Sequence, residues 1–597
     1  MKLYLKSLTP IHIGTGEELN RIDYMTLNGM YYRISQDLFL NFIKTHEGMV
    51  NRFSQWIDEI SSKIEDLEKL KKDADRMRKR DYNQQLSDLR NKLNVWEFIK
   101  KERIERSFEE YIDKTDNILK FKYANLPKQQ IRGLVKTPDN QFYIPGTSVK
   151  GAIRTALLFA ALDNEQNEKK INDIITQSLD NCEAEKNEIL KKGGKYRSDK
   201  FAKTFADSLE HYLCYCSYIN EKQQQINQDE KFDVFKFLLV SDAMVSRPSL
   251  GLANVDLYLL GRIRNQQRSG FEIKALKQKQ PPSIEIYNKG QLFETEIDLN
   301  LEYLLNLKEH MINGSIRSGK EQQWIGLKEK LQNVFNLDLD ILNKSNLEEQ
   351  KQKTVAYIFE KVAHFYSLQR DHDKKWLREY DSKQKDRDVN IQAIRQGFDQ
   401  ISEIGKVIHL GYATGFPGTT EFLYLLNRPS LKEVLKDVME FFEIGKKPGV
   451  GQDGKKYSAN PDSFPKSRRL ATIGDNIDPL GWIQFSLSPF PAIEEPGISD
   501  KINTTTSSPP EEMVQAQVPV TRNFSQLKDG DIVDAIVTGQ ENLYAQVKLF
   551  CSDEPDIPGK FRYPAGFEIG AILELKIFFP NKKNKRDFNL RYISTKS

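Results

Sequence analysis

The chain has 597 residues, which is enough for two to four domains with sizeable cores and excludes a minimal single module. Its 89 lysines and arginines nearly balance 85 aspartates and glutamates, for a net charge of +4, so a nucleic-acid partner must be argued from local clusters. Four cysteines without zinc-site spacing and the lack of a long apolar run predict a reduced, soluble, cytoplasmic protein with no structural metal.

The N-terminal residues alternate apolar and polar side chains, which predicts a half-buried strand over residues 2–8 and, after a glycine-bearing loop, a second strand at 30–34. His12 and Asp23 lie between these strands, and each allows a catalytic interpretation, as a general base or as a metal ligand. However, Asp23 has no obvious acidic partner, and a single histidine between two isoleucines is more often packed inside a protein. A packing role for His12 and a turn role for Asp23 are therefore favoured.

Residues 36–122 are rich in charge and in helix formers with apolar side chains at helical spacing, which predicts a helical insertion containing a hairpin. The basic run at 76–80 suits nucleic acid, but such runs are more often solvated helix faces. Two further helical insertions are predicted, at about 160–230 and 301–403.

Residues 142–159, FYIPGTSVKGAIRTALLF, combine an apolar strand, a Pro-Gly turn and the start of an amphipathic helix. Thr147 or Ser148 can cap this helix, and Lys150 and Arg154 lie one turn apart on a shared side. The free N–H groups and the dipole of a helix start favour an anion, and two cations would extend that site along a polyanion. A capped helix with a solvated basic face explains the same residues equally well.

The next apolar segments predict strands. Residues 232–245 predict a buried strand that ends at Ser241 and Asp242, where ligand contacts or a simple turn are both common. Residues 282–300 predict a β-hairpin that turns at Asn288-Lys289-Gly290.

Two later clusters also suit phosphate binding. The segment 405–420, GKVIHLGYATGFPGTT, is a glycine-rich loop whose backbone N–H groups can approach a phosphate closely, and PKSRR at 465–469 packs three cations into a loop. Their candidate contacts are Gly411, Gly415 and Gly418 in the first, and Lys466, Arg468 and Arg469 in the second. Three such clusters support phosphate binding more strongly than any one of them.

The C-terminal part differs in composition. Residues 491–520 are rich in proline, serine and threonine and predict a linker, and five short alternating segments within 521–597 predict a small β-barrel of the OB or S1 kind. Aromatic and basic residues there suit stacking on single-stranded bases, and the candidates are Tyr544, Lys548, Phe561, Arg562 and Tyr563. The aromatics could instead fill the barrel, and protein docking is a rival role.

The order of the motifs is informative. The segments PIHIGTGEELNRIDYMTLNGMYYRI, YIPGTSVKGAIRTALL, VSDAMV, HLGYATGFPGTT and FPKSRRLATIGD, followed by PLGWIQFSL, resemble the RAMP superfamily of CRISPR effector proteins over roughly residues 1–490. The resemblance is strongest to the fifth-subunit family of type III-A Csm complexes. Tyr412 and Ala413 depart from the pattern, because glycines are common there in the family.

This resemblance implies an α+β fold with a ferredoxin-like, RNA-recognition-type core over residues 1–490, interrupted by the large helical insertions. It also implies a non-catalytic subunit that binds guide (CRISPR) RNA, caps the backbone filament near the guide 3′ end and supports guide maturation and complex assembly in antiviral defence. The expected partners are guide RNA, target RNA and the other type III subunits, especially the backbone RAMP subunit, with a host nuclease as a further candidate. No cofactor and no membrane partner are expected.

Two alternatives remain from the residues themselves. One is an endoribonuclease that processes guide RNA through His12 or Asp23. The other is an adaptor that recruits a nuclease or another subunit through the C-terminal barrel.

Overall fold

The computed structural model divides the chain into two compact units, Met1–Ala492 and Ile493–Ser597. The described residues are 1–19, 21–115, 119–124, 131–137, 141–164, 168–193, 205, 208–219, 225–226, 232–245, 248–265, 270–312, 315–318, 321–384, 389–446, 458–491, 532–541, 544–549, 557–562, 572–578 and 589–596. Within these ranges, no helix combines the length and the apolar character that a membrane crossing requires.

The first part of the N-terminal unit contains short strands and a helical insertion. Its elements are β1 Lys2–Ser7, β2 Gly14–Leu19, β3 Tyr24–Leu27, β4 Met30–Arg33, α1 Gln36–Lys44, α2 Met49–Asp73, α3 Arg76–Lys92, α4 Val95–Lys101, α5 Glu105–Lys114, β5 Leu119–Lys122, β6 Ile131–Leu134 and β7 Tyr143–Ile144.

The middle part holds the longest strands. Its elements are α6 Gly146–Asn164, α7 Glu168–Lys191, β8 Tyr218–Ile219, β9 Gln225–Ile226, β10 Leu238–Val240, β11 Ala243–Met244, β12 Leu250–Asn265, β13 Gly270–Tyr287 and β14 Leu292–Leu299. A 3-10 turn at Val234–Phe237 precedes β10.

The last part of this unit contains the longest helix. Its elements are α8 Leu301–Lys308, β15 Met311–Ile312, β16 Ser315–Ser318, β17 Glu321–Gln323, α9 Leu327–Phe335, α10 Leu347–Lys383, α11 Ile391–Asp399, β18 Val407–His409, α12 Phe422–Asn427, α13 Lys432–Phe441, β19 Ser467–Ile473, β20 Asn476–Pro479 and β21 Trp482–Ser486.

Two larger sheets form the frame of the N-terminal unit. One has the strand order β18-β21-β1-β14-β11-β7, with β10 also paired to β14, and the other has the order β2-β6-β13-β12-β19-β20. Strand β14 alternates exposed and buried residues along LFETEIDL, so one face of its sheet lies on the core. Helices α6 and α10 contribute many of the residues of this core.

The predicted hairpin at 282–300 is wrong, although both of its strands and its turn are present. Strand β13 pairs with β12 and β6, while β14 pairs with β1, β10 and β11, so the turn carries the chain from one sheet to the other. Backbone bonds hold the turn to distant segments: Gly290 donates to the Ser7 carbonyl and Asn288 to the Ser249 carbonyl, each at 2.9 Å. Pairing with distant strands, which buries β13 and β14 in two sheets, outweighed the local preference for a hairpin.

The helical insertion after β4 has a core of its own, made mainly of aromatic and branched side chains from α1, α2, α4 and α5. Its hairpin turns at Ala74, and the Asp75 carboxylate caps α3 by accepting from the Arg78 N–H at 2.9 Å. The basic run at 76–80 therefore opens a helix, in which Arg78, Lys79 and Arg80 are exposed.

The C-terminal unit is an antiparallel sheet. Its strands are β22 Ile532–Glu541, β23 Tyr544–Leu549, β24 Ile557–Arg562, β25 Ile572–Phe578 and β26 Asn589–Lys596, in the order β24-β23-β22-β25-β26. Counted within this unit, that order is 3-2-1-4-5. Cα atoms of the two edge strands approach within 8 Å. Among the side chains described in this unit, the buried ones are Ala535, Val537, Val547, Leu549, Leu575 and Ile577.

Candidate nucleic-acid interface

One stripe of helix α10 contacts the predicted clusters. Its members are three or four residues apart and therefore share a helix face: Tyr366, Gln369, Asp373, Trp376 and Tyr380. The Tyr366 hydroxyl donates to the Ala152 carbonyl of α6 at 3.2 Å. Gln369 forms a hydrogen bond to the glycine-rich loop, and Asp373 and Trp376 form hydrogen bonds to the PKSRR segment. Helix α10 therefore brings the three clusters into one region.

The start of helix α6 is occupied by a carboxylate of the protein itself. The Gly146 N–H donates to Asp242 Oδ1 at 2.8 Å. A Cβ at Gly146 would lie 2.3 Å from the Val240 carbonyl oxygen, which explains the glycine. Of the two predicted caps, Thr147 is exposed and the Ser148 N–H donates to the Pro145 carbonyl. The dipole at this helix start is thus complemented by Asp242.

Lys150 and Arg154 fasten helix α6 to the segment before β10. Lys150 Nζ donates to the Leu238 carbonyl at 2.7 Å, and burial lowers its pKa. Arg154 donates to Asp233 and to Glu210, each at 2.7 Å. Burial opposes the charge of Arg154, but the two carboxylates outweigh that effect and raise its pKa. RNA contact by these two cations stays a prediction, and it would require their present bonds to be exchanged.

Two of the three candidate glycines are explained by close packing. Gly411 has φ +80°, and a Cβ there would lie 2.4 Å from the His12 carbonyl oxygen. A Cβ at Gly418 would lie 2.5 Å from Gln369 Nε2, whereas Gly415, at φ +74°, has nothing closer than 3.8 Å. Ala413 also has positive φ, +72°, which costs a residue with a Cβ roughly 1–2 kcal/mol.

A buried histidine anchors this loop. His409 Nε2 donates to the Leu480 carbonyl at 2.7 Å, so its Nδ1 accepts from Gln369 Nε2 at 2.9 Å. The same amide nitrogen donates to the Thr414 carbonyl at 2.8 Å, which joins the loop to helix α10. His409 stacks on Trp482 with ring centroids 4.4 Å apart. Burial lowers the pKa of His409 to about 3, so the ring is neutral.

The two arginines of the PKSRR segment have opposite environments. Both lie on β19, where successive side chains point to opposite faces of the sheet. Arg468 donates to Asp373 at 2.8 Å, and the two side chains are only 11% and 8% exposed. Arg468 also donates to two backbone carbonyls, each at 2.9 Å. Arg469 is exposed, as is Lys466, whose carbonyl accepts from Trp376 Nε1.

Tyr412 lies beside two guanidinium groups. The Cζ atoms of Arg132 and Arg469 are each 5.5 Å from its ring centroid, within cation–π range. Its N–H donates to the His12 carbonyl at 2.8 Å. The ring packs against an apolar patch of the six-stranded sheet made by β12, β13, β19 and Leu480. The loop thereby presents an aromatic ring flanked by cations on that sheet.

We call Arg132, Tyr412, Lys466 and Arg469 the basic surface. Within the described part of the chain, neither Lys466 nor Arg469 has a carboxylate at ion-pair distance, while Arg132 lies 3.7 Å from Glu18. Sequence reasoning missed Arg132 and noticed Tyr412 only as a departure from glycine. The available signal was that departure, because a tyrosine in a glycine-rich loop needs a surface to pack on.

The two residues of the endoribonuclease alternative differ in their exposure. His12 is 3% exposed, and its Nδ1 is 2.7 Å from the Glu285 carbonyl oxygen. Burial lowers the pKa of His12 to about 4, so it is neutral and shielded from an RNA substrate. Asp23 is half-buried, and its carbonyl accepts from the Ile34 N–H at 2.8 Å. Among the described residues, no three His, Cys, Asp or Glu side chains group as metal ligands.

In the C-terminal unit, register separates the candidate residues. Tyr544 pairs with Arg562 across β23 and β24, and Lys548 lies on the same face of β23 as Tyr544. Phe561 instead pairs with Ala545, on the face of the buried Val547. RNA contact by Phe561, as by the other candidates of this unit, stays a prediction. Tyr563 lies outside the described residues.

Comparison with known proteins gives the family. The sequence model of the RAMP superfamily matches residues 4–345, more than half of the chain. The chain belongs to the RAMP superfamily. It is also similar to a Methanocaldococcus jannaschii protein named CRISPR system Cms protein Csm5, with 24% identity over 375 residues, 62% of this chain and 70% of that protein.

Two solved structures are similar to this RAMP protein. One is a chain in the cryo-EM structure of a Csm-crRNA-target RNA ternary complex of a type III-A CRISPR-Cas system, with a TM-score of 0.45 and 20% identity, covering 81% of this chain and 100% of that chain. The other is the crystal structure of T. onnurineus Csm5, with a TM-score of 0.42 and 17% identity, covering 81% and 99%.

Proposed function

We propose that this RAMP protein is a non-catalytic subunit of a type III-A CRISPR effector complex that binds guide RNA through the basic surface. Membership in the RAMP superfamily carries the proposal, and the similarity to a protein named Csm5 supports the choice of subunit. In this role the protein caps the backbone filament near the guide 3′ end and supports guide maturation and assembly. Its partners are guide RNA, target RNA and the backbone RAMP subunit, with a host nuclease recruited to the assembled complex in the cytoplasm.

The fold that we propose for the N-terminal unit is a ferredoxin-like, RNA-recognition-type core with helical insertions. The six-stranded sheet would supply the RNA-binding platform, because Arg132 and Arg469 lie on its strands and Tyr412 packs against it. RNA-binding sheets commonly combine aromatic side chains for bases with cations for phosphates, and Tyr412 with its flanking arginines has that composition. Contacts to phosphates position a guide without reading its sequence, as a subunit that accepts many guides requires.

The chemistry of the described residues supports a non-catalytic role. A general base must reach the proton that it removes, and neutral His12 is enclosed by the sheet and the glycine-rich loop. The basic surface consists of three cations and a tyrosine, and the Glu18 carboxylate beside it lies at ion-pair distance from Arg132. Binding is therefore the function that this geometry supports best.

The test is guide retention by the assembled complex. In a Lys466→Glu and Arg469→Glu double variant, the complex, purified through a tag on another subunit, should retain at most a tenth of the wild-type guide RNA in this subunit's footprint. In isolated protein, loss of two phosphate contacts should lower the slope of log affinity against log salt by about 1.4 for single-stranded RNA.

The matched control is Lys63→Glu with Lys72→Glu, which makes the same change of charge at exposed positions of helix α2. This control should retain guide RNA as the wild type does. Equal retention by both double variants, with unchanged melting curves, would contradict the proposed function. Cleavage of guide precursor by the isolated protein, abolished by His12→Ala or Asp23→Ala, would contradict its non-catalytic part.

A further inference from the structure

A cavity of about 390 Å³ in the N-terminal unit is lined by residues of helices α7, α12 and α13 and of the segments beside them. Its wall is mostly apolar and includes the core residues Leu209, Phe422, Leu425, Leu435 and Met439. Ligand pockets in proteins are typically about 300–1,000 Å³ in volume and mostly apolar, with a few polar groups that orient the ligand. The size and the lining of this cavity therefore suit a small organic molecule.

Four of the described residues that line this cavity are polar, and three of them are bonded to the protein. The Ser178 hydroxyl donates to the Ser208 hydroxyl at 2.7 Å, and the Thr420 hydroxyl donates to the Phe416 carbonyl at 2.8 Å. The fourth is Glu421, which holds the N-cap position of helix α12 without a capping bond from its side chain. Among the described residues, no other side chain donates a hydrogen bond to the Glu421 carboxylate or lies at ion-pair distance from it.

The surroundings of Glu421 do not compensate its charge. Burial and, to a smaller extent, the nearby Glu210 raise the pKa of Glu421 to about 7, although its own backbone N–H and Arg154 oppose this rise. The Arg154 guanidinium is already paired with Asp233 and Glu210, each at 2.7 Å. The ionised form of Glu421 therefore lacks a cation, which a bound ligand can supply.

We propose that this cavity binds a small organic amine, whose apolar body fills the cavity and whose ammonium group pairs with the Glu421 carboxylate. The apolar wall supplies most of the contact with such a ligand, and the carboxylate fixes its orientation. An ammonium group can donate three hydrogen bonds, so it can satisfy a carboxylate that the protein itself leaves without a partner.

Volume and charge together define the class of ligand. An engineered apolar cavity of about 150 Å³ binds benzene, so a cavity of about 390 Å³ has room for a bicyclic ring with a short side chain. An anion would be repelled by the Glu421 carboxylate, whereas an ammonium group is attracted to it. None of the four residues of the basic surface lines this cavity, so the site is separate from the proposed RNA contact.

The test uses the full chain and three probes that share an indole ring. Tryptamine carries an ammonium group, 3-ethylindole is uncharged, and indole-3-propionate carries a carboxylate. In isothermal titration calorimetry, tryptamine should bind about tenfold more tightly than 3-ethylindole, because a charged hydrogen bond adds to the burial of the ring. Indole-3-propionate should bind most weakly. Equal affinities for the three probes, or no binding of tryptamine at millimolar concentration, would overturn the proposal.

Substitutions then locate the bound amine. Glu421→Gln should weaken tryptamine binding about tenfold and keep the affinity for 3-ethylindole within about twofold of wild type. Val438→Phe, which adds a ring to the wall of the cavity, should weaken the binding of both probes. The matched control is Glu433→Gln, the same change at an exposed position of α13 outside the cavity, and it should bind both probes as the wild type does. Unchanged tryptamine binding by Glu421→Gln and Val438→Phe proteins with wild-type melting curves would overturn the proposed site.

Discussion

The adjacent residues Arg468 and Arg469 should affect different properties of the protein when each is changed to glutamine. Arg468→Gln removes the partner of Asp373, whose side chain is 8% exposed, and leaves a buried carboxylate behind. Removing one partner of a buried ion pair costs about 3–5 kcal/mol of unfolding free energy. Arg469→Gln removes an exposed cation and one cation–π contact, which together amount to about 1 kcal/mol or less.

Two assays separate these effects. All five tryptophans of the chain lie between residues 56 and 482, so urea unfolding followed by tryptophan fluorescence reports on the N-terminal unit. Anisotropy of a labelled guide RNA reports binding at a temperature where both variants are folded. Arg468→Gln should lower the unfolding midpoint strongly and leave affinity within twofold of wild type, whereas Arg469→Gln should keep the midpoint and weaken binding about five- to tenfold.

The opposite pattern of effects would contradict the different roles of Arg468 and Arg469. If folded Arg468→Gln protein lost RNA affinity while Arg469→Gln protein kept it, the inward face of β19 would have to open toward RNA. A further check is the double variant Asp373→Leu with Arg468→Met, which should recover much of the stability lost in Arg468→Gln, because no buried charge remains.

Three further predictions concern the elements that hold the interface. Ala413→Gly should raise the free energy of unfolding by up to about 1 kcal/mol, because glycine relieves the strain of a positive φ. The control Ala152→Gly, within helix α6, should lower the free energy of unfolding by about 1 kcal/mol. Urea midpoints of the two variants measure these changes, and an equal loss of stability in both would contradict the prediction. The pKa of His409 is about 3 in the folded protein and about 6.5 in the unfolded chain, so the unfolded chain binds a proton first as the pH falls. The free energy of unfolding therefore decreases as the pH drops below about 6.5. Between pH 7 and pH 5 the wild type should therefore lose about 2 kcal/mol of unfolding free energy from this titration, a loss that a His409→Gln variant lacks. Urea titrations at both pH values measure this, and a difference between the two proteins that is the same at pH 7 and pH 5 would contradict it. Asp242→Ala should cost about 1 kcal/mol, because the Gly146 N–H loses its acceptor, and hydrogen exchange at the first turn of α6 should rise; unchanged exchange would exclude the cap.

The sequence predicted the elements of this fold better than their partners. The alternation in 282–300 and its turn correctly indicated two strands, but not that β13 and β14 belong to different sheets. A turn constrains only neighbouring residues, whereas pairing with β1 and β12 depends on residues far away in the chain, and no local pattern encodes that choice.

The same limit applies to the interface. Sequence reasoning treated the PKSRR segment as a loop of three equivalent cations, whereas the strand that begins at Ser467 sends Arg468 and Arg469 to opposite faces. The charge of Arg154 was visible, but its carboxylate partners, Asp233 and Glu210, are 79 and 56 residues away. Whether a cation is free or paired is decided by tertiary packing, so charge clusters alone overestimate the number of phosphate contacts.

The most direct test of the central claim is crosslinking in the assembled complex. Guide RNA carrying 4-thiouridine would be incorporated, irradiated and digested, and the crosslinked peptides of this subunit identified by mass spectrometry. Crosslinks are expected at Tyr412 and at the Lys466–Arg469 segment. Crosslinks confined to helices α2 and α3, with none at these positions, would contradict it.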